Sequence, residues 1–144
     1  MRYRLLNDPE QAESICLDIL EVEPGNQEAL VTLILALTDQ FGVSTAPPSE
    51  PQVREYVARL TSEYQRHYYT GIINERRARS LLRGSMGRSF AFDALRDAMM
   101  WFERAAAIRP EDDDEALLRW NACVRTIHRN RLQPRWEEPE TQLE

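Results

Sequence analysis

Lysine is absent from this sequence of 144 residues, so all 18 basic residues are arginine. Cysteine is scarce, since only Cys16 and Cys123 occur, and two cysteines do not make the disulfide framework of a small secreted domain. The longest apolar-rich stretch, residues 29–37, is far shorter than the ~20 residues of a membrane-spanning helix. The N-terminus lacks the apolar run of a secretory signal. We therefore expect a cytoplasmic protein with two buried cysteines and no membrane span.

The arginine-only composition is interpreted as a coding bias, and it has a physical consequence. Each cation is a planar guanidinium fork, which suits carboxylates, phosphates and aromatic faces. Charge is also uneven along the chain: the net charge is −7 for residues 1–63, +5 for residues 64–110 and −4 for residues 111–144. A basic middle between two acidic ends indicates internal charge pairing or an acidic partner, and it disfavours general affinity for nucleic acid.

Apolar residues recur at helical spacing along most of the chain, and Pro and Gly residues divide the pattern into six segments. Five predicted helices begin near Asp8, Gln27, Tyr64, Ser89 and Asp112 or Asp113. The third follows the loop that ends at Ser49 and carries Val53, Tyr56, Val57 and Leu60. Loops are predicted at residues 41–49 and 84–87, which are rich in Gly, Pro and Ser. The break at residues 61–63 rests only on a shift of the apolar phase, and one continuous helix is the alternative. No segment alternates like a strand, so the predicted fold class is all-α, and the length fits one domain.

Two of the predicted helices share one spacing of small, bulky and proline residues. The matching positions are Ala12, Cys16, Ile19 and Pro24 in the first helix, and Ala98, Phe102, Ala105 and Pro110 in the fifth. A small residue lets two helices approach closely, and the bulkier residue one turn later fills the groove between them. Proline then ends the helix, so that the next one returns antiparallel. The spacing therefore predicts the same helix-pairing device at both places.

This spacing resembles the second helix of the tetratricopeptide repeat, in which Ala-x3-Phe-x2-Ala-x4-Pro lies within a unit of about 34 residues. The copy that ends at Pro110 matches the family pattern fully. The copy that ends at Pro24 has Cys16 and Ile19 where the family prefers an aromatic residue and alanine. The two prolines are 86 residues apart, whereas two repeats would span about 68. Insertions at the two predicted loops and longer flanking helices account for the difference.

The resemblance covers residues 8–129 and implies about six helices in antiparallel pairs, forming a short right-handed superhelical array. We assign residues 1–130 to this domain and residues 131–144 to a flexible acidic tail. The resemblance further implies that the second, fourth and sixth helices line a groove for a peptide or protein partner. The predicted partner-binding residues are Tyr68, Tyr69, Ile72, Arg76, Arg79, Arg83, Asn121 and Arg125.

The tyrosines and the polar residues of the sixth helix also have structural interpretations. Tyr68 and Tyr69 follow about one helical turn after Tyr64, and core packing is the alternative to contact with a partner. Asn121 follows Leu117 at the spacing at which some tetratricopeptide proteins clamp a terminal carboxylate, but Leu117 stands where that clamp needs a basic residue. Asn121 is therefore also consistent with a hydrogen bond to a neighbouring backbone group.

The arginine cluster of the fourth helix gives a second functional hypothesis. Arg76, Arg79 and Arg83 lie at i, i+3 and i+7 on one helix face, and the basic stretch continues to Arg88. Such guanidinium groups bind phosphate or acidic peptides, but a solvated or internally paired face is the alternative. The following loop, Gly84–Ser89, lacks the Gly-Lys-Ser/Thr ending of a nucleotide-binding loop and comes after a helix instead of a strand.

No residue pattern indicates catalysis or metal binding. His67 and His128 are isolated, and Cys123 precedes His128 by five residues, a poor match to two metal ligands on one helix. We therefore predict no catalytic residue, no metal and no cofactor. The favoured hypothesis is a scaffold that binds another protein or peptide, with an acidic partner suited to the arginines. A phosphate or nucleic-acid ligand at Arg76–Arg88, and a module that associates with itself, are the alternatives.

Overall fold

The computed structural model describes residues 8–84 and 87–134, and these residues form six α-helices without a strand. The helices are α1 (Pro9–Val22), α2 (Gln27–Thr38), α3 (Glu50–Ala58), α4 (Glu63–Arg83), α5 (Arg88–Ala107) and α6 (Glu115–Asn130). The all-α prediction is confirmed, and the third and fourth helices are separate. None of the described helices is long and apolar enough to cross a membrane. From residue 135 onward, the predicted tail lies outside the described residues.

Side-chain caps fix where the first four helices begin. In each of them, the side-chain oxygen of the N-cap residue accepts a hydrogen bond from the backbone N–H three residues later. This bond satisfies a donor that the helix itself leaves unpaired. The capping residues are Asp8, Asn26, Ser49 and Ser62. At α6 the N-cap position is Asp114, next to the predicted Asp113, whose Oδ1 accepts from the N–H of Glu115 at 3.1 Å.

The turn between α3 and α4 is held from outside by a glutamine at the start of α2. Gln27 Oε1 accepts a hydrogen bond from the backbone N–H of Thr61 at 2.9 Å, and Gln27 Nε2 donates to the carbonyl oxygen of Arg59 at 3.3 Å. The Arg59 guanidinium donates to the carbonyl oxygen of Pro24 at 2.6 Å. The α1–α2 turn and the α3–α4 turn are therefore joined, although they are far apart in sequence.

Helices that adjoin in sequence pack against each other, as in a helical repeat array, and α4 is the central helix. It contacts α2, α3 and α5, and Arg119 of α6 lies 3.7 Å from its Glu75. The two helices beside α4 have different further partners: α3 packs mainly on α2 and α4, whereas α5 packs mainly on α4 and α6. The short α3 and the long α5 therefore flank α4 without packing extensively on each other.

Two buried clusters form the core, and α4 contributes to both. The first is built mainly from α1, α2 and α3 with Ile73 of α4, and the second mainly from α4, α5 and α6. Tyr69 packs against both clusters and so connects them. Leu132 lies inside the predicted tail, but it is buried in the second cluster, and its N–H donates to the carbonyl oxygen of Ile127 at 3.0 Å. The packed part of the chain therefore extends to Leu132.

The small and bulky residues of the repeated spacing pack in the core, whereas its two prolines, Pro24 and Pro110, are exposed at the helix ends. Five are fully buried and Ile19 is partly buried; the five are Ala12, Cys16, Ala98, Phe102 and Ala105. The Phe102 ring lies against α4 at Gly71, where a Cβ atom would come within 2.6 Å of the ring. The close approach of α4 and α5 therefore depends on the missing side chain at Gly71.

Gly71→Ala is expected to destabilise the protein even though alanine is the better helix former. The added methyl would overlap the buried Phe102 ring, and such overpacking costs about 1–3 kcal/mol, against a helix-propensity gain of about 1 kcal/mol. We expect a net loss of up to about 2 kcal/mol in the free energy of unfolding, measured by urea denaturation. Gly25→Ala is the control, because nothing lies within 4 Å of its Cβ position. Equal losses in both variants would contradict the packing argument.

Candidate functional site

The eight predicted partner-binding residues lie in three different environments. Ile72 is 3% exposed in the second core cluster, so a partner would reach it only if the helices separated. Tyr68 and Tyr69 are half-buried on the same helix. The three arginines of α4 lie beside the end of α2, and Asn121 and Arg125 are exposed on α6. The structure does not bring all eight into one open groove, and their contact with a partner stays a prediction.

The predicted tyrosines pack α4 against α5 and the start of α6. The centroid of the Tyr68 ring lies 5.0 Å from that of Tyr69 and 5.6 Å from that of Phe102. The Tyr68 hydroxyl donates to Glu115 Oε2 at 3.5 Å. Burial, and then the negative charge of Glu115, raise the pKa of Tyr68 above its ordinary value. These contacts support the core-packing interpretation of Tyr68.

Arg76 joins α4 to the C-terminal end of α2. Its Nη1 donates to the carbonyl oxygen of Leu35 at 3.0 Å and to Thr38 Oγ1 at 2.8 Å, and it forms an ion pair with Asp39 Oδ1 at 2.5 Å. The side chain is only 14% exposed. A cation at this position also favours the negative end of the α2 dipole. The structure therefore uses Arg76 as an internal link between two helices.

Arg79 and Arg83 line a small polar pocket beside Asp39. Arg79 lies 3.4 Å from Glu75 Oε2, and Arg83 donates to the carbonyl oxygen of Phe41 at 3.1 Å. The carboxylates of Asp39 and Glu75 lie among the guanidinium groups and offset part of the charge that would attract a phosphate. These contacts favour the internally paired alternative for this face. Two residues of the loop that follows α4 lie outside the described ranges.

A buried glutamate, which the sequence did not single out, links α4 to α6. The Glu75 side chain is 5% exposed, and its Oε2 lies 3.4 Å from Arg79 and 3.7 Å from Arg119. Its Oε1 has no hydrogen-bond partner among the described residues. The sequence contains one indication of this role: Glu75 is the only acidic residue of α4 beyond its first turn, and arginines follow it directly. Burial, and then the Glu75 charge, raise the pKa of the Cys123 thiol to about 12.

An apolar cleft lies on another side of α4, between α3 and α5. It has a volume of about 270 Å³, a little below the ~300–1,000 Å³ of typical small-ligand sites. We call it the outer cleft; its lining residues are Arg54, Val57 and Ala58 of α3, Arg66, His67 and Thr70 of α4, and Trp101 of α5. The cleft exists because α3 has 9 residues and α5 has 20, and α3 packs mainly on α2 and α4. Sequence patterns did not reveal it, since its residues come from three separate helices.

Further along α4 from the outer cleft, one arginine connects the two helices that form the walls of the cleft, α3 and α5. Arg77 of α4 contacts Glu50 of α3 at 3.4 Å and Asp97 of α5 at 3.9 Å. The Arg77 side chain is 37% exposed, so each pair is individually weak in water. Together the two contacts connect α3 and α5 across α4. Arg77 therefore belongs to the framework of the outer cleft and is not a free phosphate ligand.

The basic groups of the outer cleft differ in their pairing. Arg54 pairs with Glu50 at 3.1 Å, and His67 Nε2 lies 3.6 Å from a carboxylate oxygen on the first turn of α4. Arg66 donates to the carbonyl oxygen of Leu60 at 2.8 Å, and it meets no carboxylate within residues 8–84 and 87–134. The cleft thus contains a half-buried guanidinium without a counter-charge.

Trp101 forms the apolar wall of the outer cleft that α5 supplies. Its ring centroid lies 5.4 Å from that of His67, and the Arg104 guanidinium carbon lies 4.7 Å from the ring centroid. Val57 and Ala58 form the facing wall on α3. The arrangement places an aromatic face and an aliphatic face next to cationic groups, which is suited to binding a ligand that is partly apolar and partly anionic.

Comparison with known proteins gives no match: no family model, no curated protein and no solved structure matches this chain. Among the described residues, no group of three His, Cys, Asp or Glu side chains is placed to hold a metal ion. The functional inference therefore starts from the side chains of the outer cleft and from the pairing of the arginines.

Arg76→Gln is expected to lower the free energy of unfolding by about 1.5–3 kcal/mol, because hydrogen bonds that involve a charged group typically contribute that much. Urea denaturation measures the change. Arg125→Gln is the matched control, since Arg125 is exposed and has no described partner, and we expect it to change stability by less than about 0.5 kcal/mol. A neutral result for Arg76→Gln would show that the link to α2 contributes nothing.

Cys123 gives a pH prediction whose sign follows from the raised pKa of its thiol. The folded state keeps a proton that the unfolded state releases above its ordinary pKa of 9.0, so the contribution is complete below that pH and is lost as pH rises toward 12. The stability advantage of the native protein over Cys123→Ala should therefore shrink between pH 8 and pH 11, in urea denaturation at several pH values. Parallel pH profiles for the two proteins would contradict the shifted pKa.

Proposed function

We propose that this chain is an adaptor without catalytic activity, which binds a segment of another protein in the outer cleft between α3 and α5. The observation that carries the proposal is an apolar cleft, about 270 Å³ in volume, that contains the half-buried Arg66, whose guanidinium has no carboxylate partner among the described residues. Ligand sites are typically concave and mostly apolar, with a small number of placed polar groups. The outer cleft has that composition.

The outer cleft is favoured over the groove predicted on α2, α4 and α6 because its side chains are less engaged within the fold. On the predicted face, Ile72 is buried, Tyr68 packs against other rings, and Arg76 is bound to the end of α2. The exposed residues of the predicted set are Arg79, Arg83, Asn121 and Arg125, and of these Arg79 lies 3.4 Å from Glu75 and Arg83 donates to the carbonyl oxygen of Phe41. Relationship to the tetratricopeptide family remains part of the proposal, supported by the repeated spacing and by the packing of adjoining helices.

A phosphate or nucleic-acid ligand at Arg76–Arg88 is the second candidate, and the observation in its favour is the polar pocket that Arg76, Arg79 and Arg83 share. The carboxylates of Asp39 and Glu75 in the same place weaken it. Binding at this pocket would fall steeply with salt concentration, as phosphate contacts do.

We place the adaptor in the cytoplasm because both of its cysteines are free and buried, which suits a reducing compartment.

Site-specific photocrosslinking in cells of the source organism tests the proposed function. A benzophenone amino acid replaces Ala58, an exposed residue that lines the outer cleft, in one version of the full chain. Asn121 carries the same group in a second version, and Gln11, exposed on α1, carries it in a third as a control. We expect an adduct of defined mass with another protein from position 58 alone, and an excess of the unmodified chain should compete it away.

Other results would point elsewhere. An adduct from position 121 and not from position 58 would favour the predicted groove on α2, α4 and α6 and would reject the outer cleft. An adduct whose mass falls on nuclease treatment would favour a nucleic-acid ligand. Absence of any adduct at positions 58 and 121 would count against the adaptor itself.

A further inference from the structure

We infer that the outer cleft selects an acidic peptide segment in which a bulky apolar side chain lies next to a carboxylate. The inference rests on the proposed function and specifies the chemistry of the partner. It depends on three observations: the unpaired state of Arg66, the excess of cations around the cleft, and the aromatic wall at Trp101. Each has a separate physical consequence for the ligand.

The half-buried Arg66 has guanidinium N–H donors without a described acceptor. A guanidinium group has five N–H donors, and in Arg66 one of them has a described acceptor, the carbonyl oxygen of Leu60 at 2.8 Å. Arg76, Arg79 and Arg119 all lie within ion-pair distance of a carboxylate. Arg66 has no such partner among the described residues, although it is half-buried. A carboxylate that approached its fork would form charge-assisted hydrogen bonds at low additional desolvation cost.

The surroundings of Arg66 carry more positive than negative charge. Arg54 and Arg66 line the cleft, and Arg104 lies against its tryptophan wall without a described carboxylate partner. The carboxylates that pair with the basic groups of this surface are Glu50, which Arg54 shares with Arg77, Glu63 beside the His67 imidazole, and Asp97, which Arg77 meets on α5. These three carboxylates face four arginines, namely Arg54, Arg66, Arg77 and Arg104. The resulting field attracts an anionic segment and repels a basic one.

The walls of the cleft add a requirement that charge alone does not meet. Val57 and Ala58 face Trp101 across the opening, and a ligand made only of carboxylates would leave these apolar surfaces in water. An apolar ligand without a carboxylate would cover Arg66 and leave its donors unpaired, which is costly. Affinity therefore requires both features in one segment, an apolar anchor and an adjacent acid. An acidic peptide with an aromatic or branched residue satisfies both.

The test is fluorescence anisotropy with the full chain and three labelled peptides. The first peptide has one Phe flanked by Glu on both sides, the second has Gln in place of each Glu, and the third has Ser in place of Phe. We expect the first to bind at least about tenfold more tightly than either of the others, the equivalent of about 1.4 kcal/mol. Raised salt should weaken the first peptide and leave the second unchanged.

Chain variants then assign the effect to the outer cleft. Arg66→Gln should weaken the acidic peptide about tenfold and leave the Gln peptide unchanged, so that the two changes are coupled in a double-mutant cycle. Arg66→Lys keeps the charge and should restore part of the affinity. Trp101→Ala should weaken the acidic peptide and lessen the difference between Phe and Ser. Arg129→Gln, at an exposed residue of α6 outside the cleft and outside the predicted partner-binding set, is the control with no expected effect, and circular dichroism confirms that each variant is folded.

Several outcomes would overturn the inference. Equal affinity for the acidic and neutral peptides would reject the charge requirement, and equal losses for both peptides on Arg66→Gln would assign Arg66 a structural role only. Binding that appears only after removal of residues 135–144 would assign the cleft to the chain's own C-terminal residues. If the Ala58 crosslink forms while the peptide preferences are absent, the inference fails and the proposed function stands. If neither is observed, both fail.

Discussion

The contact between the Phe102 ring and the backbone at Gly71 sets the distance between the two longest helices of the protein. Because α5 lies so close to α4 at this point, Tyr68 packs its ring on Phe102 and reaches Glu115 at the start of α6. The same approach places Trp101, the residue before Phe102, beside His67. Both the packing of α6 and the aromatic wall of the outer cleft therefore depend on one missing side chain.

The arginines of α4 have two roles: some form ion pairs within the fold, and one lines the outer cleft. Residues 8–53 contain acidic side chains and no basic one, and the cations that meet them come largely from α4. Arg76 pairs with Asp39, and Arg77 pairs with Glu50, so the charge asymmetry along the sequence reflects attraction between the two parts of the fold. Among the described residues, Arg66 and Arg83 each bond to a backbone carbonyl and to no carboxylate, and of these two only Arg66 lines the apolar outer cleft. Because Arg66 lines an apolar cleft, it indicates a ligand site, whereas Arg76 and Arg77 are explained by their ion pairs within the fold.

Local rules predicted much of this fold. The residues that cap α1, α2, α3 and α4 are short polar side chains ahead of apolar patterns, and the helices begin within three residues of the expected positions. The repeated spacing correctly placed Ala98, Phe102 and Ala105 in the core. These features depend on neighbours a few residues away, and such neighbours are visible in a sequence.

The outer cleft and the buried Glu75 were not predictable in this way. The partners of Glu75 include Arg119, and the walls of the cleft combine Val57 with Trp101, pairs that are separated by more than 40 residues. The opening depends on how far the short α3 stands from α5, and no local pattern encodes that distance. The burial of Ile72, one of the predicted partner-binding residues, has the same origin: isoleucine is a residue type that suits a groove contact, and only tertiary packing shows that Ile72 is covered.

The brevity of α3 also has a dynamic consequence. A helix of nine residues does not persist alone in water, and α3 is held by the buried Val53 and Val57 and by ion pairs at Glu50. It therefore unfolds locally at a lower free energy than the helices that carry more buried side chains. One wall of the outer cleft is thus a segment whose amide hydrogens should exchange more readily than those of α2, α4 and α5, which bury more side chains. A bound segment would slow that exchange first in α3, and the rest of the protein would keep its own rate.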